Sequence, residues 1–443
     1  MAIDKPDKPY DGGCHINGFF AIFSKRRVFI ETYGCRYNFG DTAKLVEILK
    51  HEGAVIVESP DIADAAVINT CTVVGPTERR MLRRIVQLRE IDLFVTGCMA
   101  AVQRDAIFAV ASPKIIPPEL IHEEYQRVGT VAGDSIGIVQ IAQGCTGKCS
   151  YCITRLARGT LKSFPREEIL AQVKKFIHVG APEIQITAQD VSAWGLDKGT
   201  SLPDLLTSLG DLTGRYMLRV GMMNPTTVKE NLDDLVAAFS SEHIYKFVHI
   251  PVQSGADSVL ARMRRGYSVA DFEEIIAAFR KKFPSMTIAT DMIVGYCGET
   301  PEDFSASLDL VRRVKPNKVN VTRYSWRPFT PQLSEKELPD HVKKERSRIL
   351  DVTAREIYAS LNGEFLGTIV PFIVTEKLRN GSVMARSPDY RGMVINENLP
   401  PGFSGHAVLK EDHLFFFAAE RVQENSNPIL TGSNQKLRPE SGH

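Results

Sequence analysis

Between residues 136 and 323 the chain alternates short apolar runs with helical patterns, and this rhythm restricts the fold more than any other feature. The strand candidates are IGIVQIA (136–142), EIQITA (183–188), MLRVGMM (217–223), IYKFVHI (244–250), MTIATDMIV (286–294) and KVNVTR (318–323). Helical periodicity lies near 166–179, 202–213, 227–239, 269–283 and 302–314. Strands joined by helical crossovers pair in parallel. A closed barrel of eight such units typically takes about 250 residues. Six units therefore predict a partial parallel (β/α)6 barrel.

The flanks differ from this core. Residues 27–130 read as a smaller open α/β domain, with strands at 28–31, 54–57, 65–69 and 93–96 and a basic helix at 77–90. Residues 111–135, with Pro113, Pro117 and Pro118, are expected to be an irregular linker. The core is assigned to 131–362, ending in a charged helix at 341–362. From 363 to 424, short β runs separated by glycines predict a small all-β barrel. Residues 1–26 and 425–443 are expected to be flexible tails.

Hydrophobic residues make up 43% and charged residues 24% of the 443, which excludes global disorder. Lys plus Arg is 54 against 53 for Asp plus Glu, so nucleic acid is not held by bulk charge, although local patches remain open. No apolar run approaches the ~20 residues needed to span a bilayer, and the first ten residues do not resemble a secretory signal. The expected location is cytoplasmic, with no membrane partner. In a reducing compartment, spaced cysteines mean metal, catalysis or packing rather than disulfides.

Cys145, Cys149 and Cys152 form a C-x3-C-x2-C run in QGCTGKCSYC. Three thiolates on one loop can bind three irons of a cubane cluster and leave the fourth open. Zinc would want a fourth ligand, and no Cys or His follows before His178. The run ends the first core strand, at the end where parallel barrels keep their active sites. Cys35, Cys71 and Cys98 are scattered, but each follows a strand candidate closely, in ETYGCRYN, INTCTV and VTGCMA. The C-terminal strand ends of an open parallel sheet line one crevice, so the three either converge on a second site or are ordinary buried cysteines. Cys14 and Cys297 read as free thiols.

QGCTGKCSYCITRLARG resembles the radical S-adenosylmethionine (SAM) signature as it stands in the methylthiotransferases. TYGCRYN, NTCTV and TGCMA resemble that family's N-terminal cysteine motifs, and HIPVQSGADSVLARMRRGY and DMIVGYCGET its later core motifs. The β-rich end resembles a TRAM domain, a small RNA-binding barrel. The resemblance covers about 27–424 and is nearest to the archaeal and eukaryotic branch, which acts on N6-threonylcarbamoyladenosine at position 37 of tRNA. One departure is Cys297 in GYCGET, where the family usually has proline.

The resemblance implies two 4Fe-4S clusters, one on Cys145, Cys149 and Cys152, the other on Cys35, Cys71 and Cys98. It implies reductive cleavage of S-adenosylmethionine, an external one-electron donor and transfer of a methylthio group to C2 of the adenine. The partner is a tRNA anticodon loop. Tyr151 resembles the aromatic residue near the adenine of the cofactor. Gln189, Asp190, Gln253, Ser254 and Asp291 fall at the expected barrel mouth, where they either bind S-adenosylmethionine or cap turns. Arg219 points at the pocket or at a carboxylate.

RNA contact is expected in patches: Arg79, Arg80, Arg83, Arg84 and Arg89 on one helix, Arg262, Arg264 and Arg265 in a second group, and Arg379, Arg386, Tyr390 and Arg391 in the β barrel. The plain alternative is a solvated helix face. Two other functions compete: the same chemistry on isopentenyladenosine or a ribosomal-protein aspartate, and a non-catalytic RNA-binding protein with structural zinc.

Overall fold

The computed structural model describes residues 18–73, 75–128, 136–331 and 335–423. The N-terminal domain comprises β1 (Arg27–Thr32), α1 (Arg36–His51), β2 (Val55–Val57), β3 (Ala65–Thr70), α2 (Gly75–Gln87), β4 (Asp92–Gly97), α3 (Cys98–Val102), α4 (Arg104–Phe108), β5 (Lys114–Ile115) and α5 (Pro118–Val128). Its strands form one parallel sheet in the order β2-β1-β3-β4-β5. All six residues of the central β3, AAVINT, are buried. Helices cover both faces, so an unbroken apolar run suits this strand.

Two expectations change here. Within the expected tail, Phe19–Phe23 forms a 3-10 helix whose Phe20 and Phe23 enter the core beside Leu45, Ile48 and Phe94. Burying each ring contributes roughly 1.5–3 kcal/mol, enough to hold a short segment down. The expected linker contains α5, with Ile121 and Tyr125 buried against α1. Pro118 opens that helix rather than breaking it, because the first turn needs no intrahelical N–H from it. The expected tail at 425–443 lies outside the described residues.

The core runs β6 (Ile136–Gln140), β7 (Ala142–Gln143), α6 (Thr154–Arg158), β8 (Lys162–Ser163), α7 (Arg166–His178), β9 (Glu183–Thr187), α8 (Leu202–Gly210), β10 (Met217–Val220), α9 (Pro225–Lys229), α10 (Leu232–Ala238), β11 (Phe247–His249), α11 (Asp257–Arg262), α12 (Val269–Lys282), β12 (Thr287–Val294), α13 (Pro301–Val314), β13 (Lys318–Arg323) and α14 (Asp340–Gly363). Parallel pairing joins β6-β9-β10 and β11-β12-β13, and parallel bridges Leu218–Ile244 and Met222–His249 connect the two sets. The result is the partial six-stranded barrel that the spacing predicts.

The N-terminal domain docks on its first strand. Lys44 Nζ donates to Gln140 Oε1 at 2.6 Å, and Gln140 Nε2 donates to Tyr37 O at 2.9 Å and Asp41 Oδ1 at 2.7 Å. On the other side Arg327 Nη1, beyond β13, donates to Glu78 Oε2 of α2 at 2.7 Å. The domain thus spans from the first core strand to the loop after the last.

Strands β14 (Ile369–Lys377), β15 (Val383–Arg386), β16 (Gly392–Ile395), β17 (Ser404–Asp412) and β18 (Phe417–Arg421) close a barrel in the order β14-β15-β16-β18-β17. It packs on the starts of the core strands: Tyr390 Oη donates to Glu183 Oε1 at 3.2 Å, and Lys246 N donates to Pro388 O at 2.8 Å. Among the described residues no helix is long and apolar enough to cross a membrane.

Candidate functional site

The first cysteine group lies on the loop that follows β6 and β7. Gly144 has φ +79°, and a Cβ there would meet Thr160 O at 2.1 Å, so only glycine fits the turn. Its N–H donates to Gln189 Oε1 at 2.7 Å, which fixes the residue before Cys145. Gly147 leaves a cradle: a Cβ would sit 3.3 Å from Cys145 Sγ and 3.6 Å from Cys149 Sγ. Arg265 Nη1 donates to Cys149 Sγ at 3.1 Å and to Tyr151 Oη at 3.3 Å. Burial pushes the Cys145 thiol up to about 11 and raises Cys152 as well. Thiolate formation here is therefore coupled to binding of a metal centre.

The second group stands on three neighbouring strand ends. Cys35 caps α1 after β1, Cys71 follows β3, and Cys98 opens α3 directly after β4. The register pairs Thr70 with Gly97, which sets Cys71 beside Cys98. Gly34, at φ +104°, lies so close that a Cβ would be 2.9 Å from Cys71 Sγ. Cys71 and Cys98 are buried and Cys35 is exposed. Burial drives Cys98 up to about 12, against the neighbouring Arg158 guanidinium, which lowers it.

The thiols of each group lie close enough to act on one another's ionisation, and three thiolates are the donor set that a cubane cluster takes. Among the described residues no three His, Cys, Asp or Glu side chains are placed to hold a single metal ion. A cubane sets each thiolate on its own iron, so it takes sulfurs more widely spaced than one tetrahedral ion does.

Arg158 joins the two groups. It ends α6, the helix that follows Cys152, and its side chain is 1% exposed. Its Nε donates to Cys98 Sγ at 3.3 Å, and its Nη2 donates to Asn38 Oδ1 at 2.8 Å and Asp41 Oδ2 at 2.7 Å. The guanidinium also lies 4.8 Å from the Tyr37 ring. Its role is missed by sequence reasoning, which cannot see that a charge in LARG is buried.

A cavity of about 320 Å³ is lined by Cys152 of the first group and by Val73, two residues beyond Cys71 of the second. Of the expected cofactor residues, Tyr151, Gln253 and Asp291 line it. Asp291 Oδ1 pairs with His249 Nε2 at 2.8 Å and accepts from Asn320 Nδ2 at 2.7 Å. Burial pushes the carboxyl up, but those two partners outweigh it and hold it below its usual range.

The other three are placed differently. Gln189 supports Gly144, as described. Asp190 is 1% exposed and caps the turn at 191–193, accepting from Ser192 N, Ser192 Oγ, Asn224 N and Thr227 Oγ1 at 2.7–3.1 Å. Ser254 is buried and accepts from Ala256 N at 3.2 Å. Asp190 and Ser254 thus each accept from the N–H two residues on, at Ser192 and Ala256.

The arginine patches separate. Arg79, Arg80 and Arg83 are exposed on α2, and Arg89 is exposed just beyond it, while Arg84 pairs with Glu31 at 2.7 Å. In the second group only Arg264 is exposed: Arg262 binds Asp303, and Arg265 is buried on Cys149. In the small barrel Arg379 is exposed, but Arg386, Tyr390 and Arg391 face the core instead of an RNA surface. Arg219 lies over the Phe247 ring at 4.9 Å. Cys297 is a free, buried cysteine, and Cys14 lies outside the described residues.

Residues 139–311 match the Radical SAM superfamily model, and residues 27–116 match Uncharacterized protein family UPF0004. The chain is 38% identical to the Probable threonylcarbamoyladenosine tRNA methylthiotransferase of Pyrococcus horikoshii, covering 84% of this chain and 94% of the relative. It is 37% identical to the protein of that name in Archaeoglobus fulgidus, covering 83% and 92%. Identity to the Threonylcarbamoyladenosine tRNA methylthiotransferase of Mus musculus is 30%, covering 94% and 78%. At such identity over nearly whole chains, this protein belongs to the threonylcarbamoyladenosine tRNA methylthiotransferase family of radical SAM enzymes.

Proposed function

We propose that this protein converts N6-threonylcarbamoyladenosine at position 37 of tRNA to its 2-methylthio derivative. The observation that carries this reading is the junction at Arg158, where the support of one cysteine group is hydrogen-bonded to a cysteine of the other. Two three-thiolate sites tied together by one buried arginine would suit a reaction that must activate a C–H bond and deliver sulfur to the same carbon.

Cys145, Cys149 and Cys152 would hold one cluster, and Cys35, Cys71 and Cys98 the second. When bound, these clusters and S-adenosylmethionine supply the one-electron, hydrogen-abstracting and sulfur-donating chemistry. The protein's own residues position and enclose. Tyr151 would pack beside the adenine of S-adenosylmethionine. Asp291, kept ionised by His249 and Asn320, would accept a hydrogen bond from a cofactor ammonium or hydroxyl group, with Gln253 beside it. Arg79, Arg80 and Arg83 would meet anticodon-loop phosphates close to the second group. The loop base is accessible without being drawn from a duplex.

The test is anaerobic reconstitution followed by reaction with S-adenosylmethionine, a chemical reductant and tRNA carrying the threonylcarbamoyl group. The expected products are 5′-deoxyadenosine and the 2-methylthio nucleoside. Product from isopentenyladenosine tRNA alone would assign a different substrate.

A further inference from the structure

The barrel lumen is divided. In the register of β12 and β13, Asp291 pairs with Asn320, and their side chains bond with His249 to form a polar layer. Above it lies the cavity that Cys152 and Val73 line. Below it, toward the strand starts, is a second cavity of about 370 Å³ floored by the small β barrel.

The lower cavity is lined by five cations, Arg36, Arg219, Lys318, Arg386 and Arg391, and by no acidic side chain. Two of the five are compensated from outside the lining: Arg386 faces Glu183 at 3.3 Å, and Arg391 pairs with Asp389. Among the described residues Arg36, Arg219 and Lys318 have no ion pair. Instead Arg219 and Arg386 share the Tyr390 ring, at 5.8 and 4.3 Å. Lys318 is lowered by partial desolvation and by these two guanidiniums, with Asp291 acting the other way, so the cations act on one another. Four lining groups also lack hydrogen-bond partners: the Thr287 hydroxyl, the amide oxygen of Gln185, a residue 1% exposed, Arg386 Nε and Arg391 Nη1. Like charges crowded around a partly dry space are unfavourable unless an anion enters.

We propose that this lower cavity is a binding site for a small phosphate-type oxyanion. Such a ligand accepts from several guanidinium and ammonium groups at once, and the fork of an arginine matches its oxygens. Gln185 Oε1 would accept a hydrogen bond from the P–OH of a partly protonated phosphate or from a bridging water. An RNA strand does not fit the same description, because the Arg391 side chain is 9% exposed and Arg386 19%. The proposal does not depend on the methylthiotransferase reaction, since it rests on the opposite end of the barrel.

The ligand could be a free anion or the phosphate of a nucleotide, and two probes separate these. The anaerobically prepared holoprotein is titrated by calorimetry with inorganic pyrophosphate and, separately, with adenosine 5′-monophosphate. Saturable binding of at least one, at about one equivalent and with a Kd below about 1 mM, is expected. Tighter binding of pyrophosphate would indicate the free anion, and tighter binding of the monophosphate the nucleotide. Arg219→Met and Lys318→Met should each weaken binding about tenfold or more. Neither side chain makes an ion pair, so both variants should still unfold in one cooperative transition without ligand, which separates loss of binding from loss of fold. An Arg79→Met, Arg83→Met double variant, altered on distant α2, should bind like wild type. Absence of saturable binding by both probes, or binding unchanged in Arg219→Met and Lys318→Met, overturns the proposal.

Discussion

Arg158 Nε donates to Cys98 Sγ at 3.3 Å, across the boundary between the barrel core and the N-terminal domain. The same side chain neutralises Asp41 at 2.7 Å, with almost no solvent exposure on either side. One residue therefore links the two domains, alongside the Lys44–Gln140 and Arg327–Glu78 contacts, and places positive charge beside the Cys98 sulfur.

Removing that charge should have two effects. Arg158→Met leaves Asp41 buried without its partner, and breaking such a pair costs about 3–5 kcal/mol; denaturant unfolding measures this. Loss of a hydrogen bond and a cation at the sulfur should also lower the reduction potential of the second cluster. Potentiometric electron paramagnetic resonance, on a Cys149→Ala background that isolates that cluster, reads the change. An unchanged potential would leave Arg158 with a structural role alone.

The cysteine groups should separate functionally. Cys149→Ala should abolish 5′-deoxyadenosine formation. Cys71→Ala should abolish thiolation and spare some 5′-deoxyadenosine. Each should reduce iron from about eight to about four per chain. Intact thiolation in Cys71→Ala would show that the second site is misassigned.

The glycine cradles should not tolerate a methyl group. Gly34→Ala forces a side chain at φ +104° and a Cβ 2.7 Å from Cys71 Cβ. Iron content and visible absorbance should fall toward those of Cys71→Ala, while the first cluster remains. Full iron content in this variant would mean that the loop has room to move.

Asp291 gives a pH dependence with a fixed sign. Its carboxyl sits below the ordinary value of 3.8, despite burial, because His249 and Asn320 favour the charged form. A carboxylate lowered in the folded state contributes stability above its unfolded pKa and loses it as pH falls through the folded value. The wild type should therefore lose stability faster than Asp291→Asn below about pH 4. Parallel acid limbs for the two proteins would contradict the assignment.

The exposed arginines of α2 should act through phosphate contacts. Arg79→Ala with Arg83→Ala should weaken tRNA binding across sequences and flatten its salt dependence. The slope of log Kobs against log salt should drop by about 0.7–0.9 per lost contact. An unchanged slope would make this a solvated helix face.

Much of this architecture is legible in the sequence because its strands are buried on both faces. AAVINT and EIQIT read as β-rich runs, and the structure places β3 and β9 there. α5 is hidden by Pro117 and Pro118, since a proline at a helix start looks the same as one that breaks a chain. The six cysteines are visible from spacing and from strand ends. Arg158 and Arg265 are not, because a charged residue reads as surface until docking buries it. For the same reason Arg386, Tyr390 and Arg391 read as an RNA surface, although the small barrel turns them onto Glu183 and Ser285.

The most direct test of the central claim is mass spectrometry of nucleosides from tRNA of cells lacking this protein, in a host with no redundant enzyme. Loss of 2-methylthio-N6-threonylcarbamoyladenosine with accumulation of the unthiolated nucleoside is the predicted result, restored by the wild-type chain and not by Cys71→Ala. Persistence of the methylthio nucleoside in the cells lacking the protein would contradict it.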